Sequence, residues 1–247
     1  MIDLHAHLLP GLDDGARTFE ESRALANRAA AEGITAIAAT PHVRADYPTT
    51  ADVMERAVED LRTHFRESGI DVEVLHGAEV DLDYAANLEV EELRRLTLAQ
   101  SGRYLLVECP YGGWPLGIGH SLAELRRAGL TPILAHPERN REIQARTSLL
   151  AELVEGGALV QVTSASLDGR LGRSSKATAE RLLREGLVHL LASDAHTPDT
   201  RDAGLLAAVK AVRDEKLADY LTVSVPAAIV AGEPLPPRPP GRRRRLF

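Results

Sequence analysis

Short apolar runs recur along this chain, separated by longer stretches in which apolar residues return every three or four positions. The runs at 2–7, 34–40, 72–80, 103–108, 131–136, 158–164 and 187–193 are rich in Ile, Val, Leu and Ala. They do not alternate cleanly between apolar and polar, as expected of parallel strands covered on both faces. The intervening stretches read as helices. Thr18-Phe19-Glu20-Glu21 is a capping box opening a helix that Gly33 closes. After the second strand a helix of roughly 18 residues is expected through Ser68, with others at 90–96, 118–128, 148–155, 175–185 and 201–215; Gly129 and Gly186 end two of them.

Seven strand–helix units with crossovers of this length favour right-handed βαβ connections. A closed barrel and an open doubly wound sheet both satisfy the count. The barrel is preferred because polar, ligand-capable residues follow nearly every strand, not one switch point. The expected fold class is α/β, a TIM-barrel-like ring in one domain over 1–233. A Pro/Arg-rich tail, 234–247, follows and reads as a disordered solubilising extension, with docking or oligomer contact as the alternative.

Composition narrows the setting. The chain has 247 residues, enough for one large α/β domain, and 44% of them are hydrophobic, enough for a sizeable core. A net charge of −7 argues against nucleic-acid binding. The single cysteine, Cys109, excludes an internal disulfide and fits a reducing compartment. No run approaches the ~20 apolar residues of a membrane span, and the first residues do not read as a signal peptide. The expectation is a cytoplasmic protein without membrane insertion.

The chemistry lies at the ends of the apolar runs. Five of the nine histidines stand there: His5, His7, His42, His136 and His196. Two other runs lead to carboxylates, Glu79 and Glu108, and Asp194 precedes His196 by two. Residues i and i+2 of a strand share a face, so His5 and His7 aim together, as do Asp194 and His196. Burying so many ionisable groups without cations would be very costly. Imidazole and carboxylate without thiolate suit Zn, Mn or Fe. The ligands are too many for one ion, so two or three divalent ions are expected. Three such ions against Asp14, Glu79, Glu108 and Asp194 leave the centre net positive and attractive to an anion. Arg139 and Arg201 follow His136 and His196 closely, and guanidinium forks match phosphate oxygens.

These residues resemble the PHP (polymerase and histidinol phosphatase) superfamily, whose hallmark starts with H-x-H near the N-terminus. M-I-D-L-H-A-H-L-L-P-G-L-D-D-G, T-P-H, G-A-E, V-E-C-P, A-H-P-E-R and S-D-A-H stand in the order and spacing of the bacterial CpsB/YwqE-type protein-tyrosine phosphatases. The resemblance covers most of 1–230. It implies a distorted (β/α)7 barrel and a trinuclear, often manganese-dependent centre. As ligands it implies His5, His7, Asp14, His42, Glu79, Glu108, His136, Asp194 and His196. It implies phosphate contacts from Arg139 and Arg201, and we group Asp14 and His42 with these arginines as catalytic candidates. The choice of Asp14 over its neighbour Asp13 rests on that pattern. The implied substrate is the phosphorylated tyrosine cluster of a bacterial tyrosine kinase controlling capsule or exopolysaccharide export. Val43–Thr49 is short and poor in basic residues, and oligomeric state stays open.

Three functions fit: a phosphotyrosine-protein phosphatase, a phosphatase of a small metabolite such as histidinol phosphate, and a metal-dependent binding module without turnover. The expected chemistry of the first two is in-line attack on phosphorus by a water whose pKa metal ions bring toward ~7. A thiol mechanism lacks its arginine: six positions after Cys109 stands Pro115.

Overall fold

The computed structural model describes residues 1–108, 110, 112–198 and 202–240. Cys109, Arg201 and the arginines at 242–245 lie outside the described residues. In chain order the strands are β1 (Ile2–Ala6), β2 (Ala36–Ala39), β3 (His42–Arg44), β4 (Tyr47–Pro48), β5 (Glu73–Leu75), β6 (Glu79–Asp81), β7 (Tyr104–Glu108), β8 (Thr131–Ala135), β9 (Leu159–Thr163) and β10 (Leu190–Ala192). The helices are α1 (Phe19–Ala31), α2 (Ala51–Glu67), α3 (Leu82–Ala85), α4 (Val90–Arg95), α5 (Ile118–Arg127), α6 (Arg141–Ala145), α7 (Ser148–Glu155), α8 (Ser164–Asp168), α9 (Arg173–Glu185), α10 (Leu206–Val212), α11 (Glu215–Asp219) and α12 (Val225–Val230).

The sheet pairs in parallel as β1-β2-β5 and as β10-β9-β8-β7-β6-β3; only the β3–β4 hairpin is antiparallel. β3 continues the path of β2, and β6 that of β5. The order around the sheet is therefore that of seven successive strand–helix units. At the far side, His7 N donates to Ala195 O and Asp194 N to His5 O, both at 2.8 Å, bringing the exit of β10 against β1. The α/β, barrel-like class expected from the sequence is the class observed. One aliphatic core, running from Leu4 to Ile229, fills the interior and the helix–sheet layer.

Local physics places the elements. Thr18 Oγ1 accepts from Glu21 N and caps α1, as the capping box predicts. Thr50 caps α2, whose Met54, Val58, Leu61 and Phe65 form one buried stripe at helical spacing.

Four expectations are corrected. First, the run at 72–80 is two strands, β5 and β6, not one. The chain bends at Gly77, where a Cβ would lie 3.0 Å from Leu98 Cδ2 and 3.1 Å from Thr40 Cγ2. Second, the β3–β4 hairpin, which the sequence reading did not anticipate, stands between the second strand and the expected helix, found as α2. Third, the helix expected at 201–215 is short: Glu32 Oε2 accepts from Leu205 N and Leu206 N at 2.7 Å and fixes its start, and Arg213, at φ +55°, ends it. A further helical segment over 215–230, with one wide π turn at Tyr220–Ser224, was not anticipated. Fourth, the described part of the expected tail, 234–240, is held against the fold. Tyr220 Oη donates to Pro236 O at 3.2 Å, and Arg238 Nη1 donates to Val188 O.

Candidate metal centre

The ligand-capable side chains lie at the C-terminal ends of the strands. β1 presents Asp3, His5 and, one residue past its end, His7 on a single face. His42 opens β3 opposite Glu79, the first residue of β6. Glu108 closes β7, and His136 stands just past β8. Asp194 and His196 follow β10. His136 at φ +37° and Asp194 at φ +54° hold left-handed backbones that non-glycine residues rarely adopt. Such strain concentrates at functional sites.

All nine sequence-predicted ligands come together in one buried cluster. Their donor atoms form four overlapping groups, each spanning no more than 4.8 Å: His7, Asp14, His42, His196; His5, Glu79, His136; His5, His7, Asp194; and His42, Glu79, Glu108. Glu79 is the hub. Its Oε1 lies 2.8 Å from His136 Nε2, and its Oε2 lies 3.3 Å from His5 Nε2 and 3.1 Å from His42 Nδ1. Asp14 Oδ1 sits 3.5 Å from His42 Nε2 and 3.4 Å from His196 Nε2. Asp14 is 47% exposed, while the other eight are buried, so it stands at the mouth.

The donor set fits divalent cations on the geometry of the cluster itself. His5 Nε2 and His7 Nε2 are 3.3 Å apart, two nitrogens converging on one point. Glu79 Oε2 and His42 Nδ1 are buried with no hydrogen bond. Buried polar atoms are otherwise almost always satisfied. Burial pushes His42 down to about 4, so its imidazole is neutral and able to ligate. Burial, and then the Glu79 carboxylate, push Glu108 up to about 7. It stands there even with the Arg44 guanidinium beside it, so a divalent cation would favour its ionised form further. Hydrogen bonding to His196 holds Asp14 below the usual range.

The arginines divide. Arg139 Nη1 lies 2.7 Å from Asp194 Oδ2, at the rim of the cluster. Arg201 lies outside the described residues.

Sequence reasoning missed several supports. Asp13, the neighbour of the ligand candidate Asp14, orients two imidazole-bearing residues. Its Oδ2 is 2.6 Å from His7 Nδ1 and accepts from His42 N at 2.9 Å. Gly15 makes that loop possible, since a Cβ there would lie 2.3 Å from both His7 Cβ and His7 O. Gln161 Oε1 accepts from His5 Nδ1 and from His136 N, both at 3.1 Å. An amide in the middle of the apolar run Leu-Val-Gln-Val was the signal for it. Glu138, wholly buried, accepts from Thr163 N at 3.0 Å and Ser166 Oγ at 2.7 Å, and burial pushes it up to about 7. Arg44, two positions past His42 and so on the same face, donates through Nη1 to Glu108 Oε1 at 3.1 Å.

Comparison with known proteins gives the family. The family model for capsular polysaccharide synthesis, CpsB/CapC, matches residues 1–230. The tyrosine-protein phosphatase YwqE of Bacillus subtilis is 34% identical over 253 residues, covering 100% of this chain and 99% of that protein. The tyrosine-protein phosphatase CpsB of Streptococcus pneumoniae is 30% identical over 209 residues, covering 81% of this chain and 85% of that protein. A crystal structure reported for YwqE and CpsB, described as unique metal-dependent tyrosine phosphatases, superposes with a TM-score of 0.86 at 32% identity, covering 98% of this chain and 100% of that one. A probable 2-pyrone-4,6-dicarboxylic acid hydrolase from Acinetobacter baumannii, at 13% identity and a TM-score of 0.55, shares the fold alone. With a family model spanning nearly the whole chain and a full-length relative above 30% identity, this protein belongs to the CpsB/CapC family.

Proposed function

We propose that this chain is a metal-dependent protein-tyrosine phosphatase acting in the cytoplasm on a bacterial tyrosine kinase that controls capsule or exopolysaccharide production. One observation carries the reading: nine imidazole and carboxylate side chains, scattered from His5 to His196, meet in one cluster whose donor atoms form four overlapping groups, each within 4.8 Å. The metal-dependent phosphatases among the relatives supply the reaction class.

His5, His7, Asp14, His42, Glu79, Glu108, His136, Asp194 and His196 would hold two or three divalent ions, manganese by our reading, with iron or zinc as the alternatives. Such ions supply charge neutralisation and a water of lowered pKa. The protein's own groups do the rest. Arg139 stands at the rim beside Asp194 and presents a guanidinium to the equatorial phosphoryl oxygens. Arg201 is given the same role from the sequence. Asp14, at the mouth, and His42, buried beside it at ligand level, would orient the attacking water. The leaving phenol, with a pKa of ~10, needs less protonation than an alkyl alcohol. No side chain is therefore assigned as general acid.

The tyrosine-protein phosphatases among the relatives favour a protein-borne phosphotyrosine over a small metabolite. The experiment compares kcat/KM for a phosphotyrosine peptide and for histidinol phosphate, with and without exhaustive chelation. We expect the peptide to be preferred, and turnover to vanish on chelation and return with manganese. Full turnover in chelator would end the metal reading, and a large preference for the metabolite would end the substrate reading.

A further inference from the structure

The β3–β4 hairpin is the one antiparallel element of the described sheet, and it extends beyond the level of the ligands. Its register pairs Arg44 with Tyr47. Directly opposed residues of an antiparallel pair share a face. Arg44 also shares a face with His42, two positions earlier. His42, Arg44 and Tyr47 thus line one wall, with His42 at ligand level opposite Glu79 and the other two one step outward.

That wall carries an aromatic ring and a guanidinium at the mouth of the cluster. The Tyr47 ring stacks on His42, with centroids 5.9 Å apart and planes 18° apart. Arg44 Cζ lies 5.1 Å from the Tyr47 ring centroid. The guanidinium is held by Glu108 at 3.1 Å and by Asp46 at 2.9 Å, so this wall is braced from both ends. Tyr47 is only half-buried, and Arg44 is 25% exposed. Were a phosphomonoester's phosphoryl oxygens held at the level of the ligands, a residue one step outward would meet its ester group.

We propose that Tyr47, on the wall it shares with Arg44, is a specificity-determining residue that receives the aromatic ring of an aryl phosphate and so sets selectivity against alkyl phosphate esters. This rests on the phosphatase reading above and deepens it. Arenes gain from offset or edge contact with a tyrosine ring and from a nearby guanidinium. An alkyl ester gains neither, while the phosphoryl group makes the same contacts in both substrates. The discrimination therefore comes from the hairpin, not from the ligand cluster.

The test uses metal-loaded wild type, Tyr47→Phe and Tyr47→Ala. For each it measures kcat/KM on a phosphotyrosine peptide and on the same peptide carrying phosphoserine, together with bound metal. Tyr47→Ala should lower kcat/KM on the phosphotyrosine peptide about tenfold, equivalent to about 1.4 kcal/mol. Its phosphoserine value and metal content should stay unchanged, and Tyr47→Phe should retain the wild-type ratio. Equal loss on both esters, or loss of metal, would show that Tyr47 merely holds His42 and would overturn the proposal, as would no change on either. A binding arm separates this proposal from the phosphatase reading. If wild type turns over neither ester, that reading fails. Competition between benzylphosphonate and an alkylphosphonate for the loaded protein then still reports whether Tyr47→Ala removes an aryl preference.

Discussion

At the scale of single residues, the centre depends on groups that touch no substrate. Gln161 shows this most directly. Its Oε1 accepts a hydrogen bond from His5 Nδ1, which fixes the tautomer and leaves Nε2, 3.3 Å from Glu79 Oε2, able to ligate. The same oxygen accepts from the backbone N–H of His136, whose left-handed backbone is rarely populated. One amide thus sets two ligands. Partners of this kind change metal affinity by roughly 10–100-fold when removed. Gln161→Leu keeps the bulk and deletes the acceptor. Its manganese affinity, read by competition with a chromophoric chelator, should fall within that range while the far-UV spectrum stays that of wild type. An unchanged affinity would show that His5 and His136 hold their places without it.

At the scale of elements, the alternation of apolar runs and amphipathic stretches was enough for seven strand–helix units, because parallel strands buried on both faces leave a strong signal. The nine ligand candidates were legible for the same reason: a polar side chain ending an apolar run is conspicuous. What the sequence hid was curvature. Thr40-Pro41 and Gly77 bend two neighbouring strand paths: the first leads into β3 beyond the expected second strand, and the second divides the expected third strand into β5 and β6. The β3–β4 hairpin, with Arg44 and Tyr47, follows from the first bend and is too short to show a period. The start of α10 is set by Glu32, 173 residues from Leu205, a contact no local window contains.

The edge of β10 carries a pH dependence of its own. His189 donates its backbone N–H to Val160 O at 2.9 Å, and its Nδ1 accepts from Val160 N at 3.1 Å. Burial, then the Arg238 guanidinium, push its pKa down to about 4. The unfolded chain therefore binds a proton near pH 6.5 that the folded chain refuses until about pH 4. The contribution is fully present above the unfolded pKa and is lost as pH falls toward the folded one. It amounts to at most about 3 kcal/mol. His189→Gln keeps an acceptor for Val160 and removes the titration. Urea midpoints measured at pH 7 and pH 5 on metal-loaded protein should fall less steeply for the variant than for wild type. Parallel slopes would mean that His189 is protonated in the fold.

At the scale of the whole molecule, the ligands couple the metal to folding. His5 and His196 belong to opposite ends of the chain, and the β1 strand meets the exit of β10 through His7 N–Ala195 O and Asp194 N–His5 O. Ions held by these residues would therefore sit on the seam where the first and last strands meet. An unfolded chain cannot gather nine donors spread over that separation, so binding favours the folded state almost exclusively. Linkage then gives a stabilisation of about 2.7 kcal/mol at a free metal concentration of 100 Kd. For a chain of this size that raises Tm by roughly 5–10 °C. The sign has a second source. Without cations, Glu79, Glu108, Asp194 and Asp14 stand together in a largely buried cluster, and that repulsion is released on unfolding. Thermal scans in chelator and at rising manganese should show Tm climbing with metal concentration. Glu79→Gln, which alters the hub shared by two of the four donor groups, should climb less. A wild-type Tm identical in chelator and in saturating manganese would mean that the cluster binds no ion in the folded state, and the case for a metal centre would fail with it.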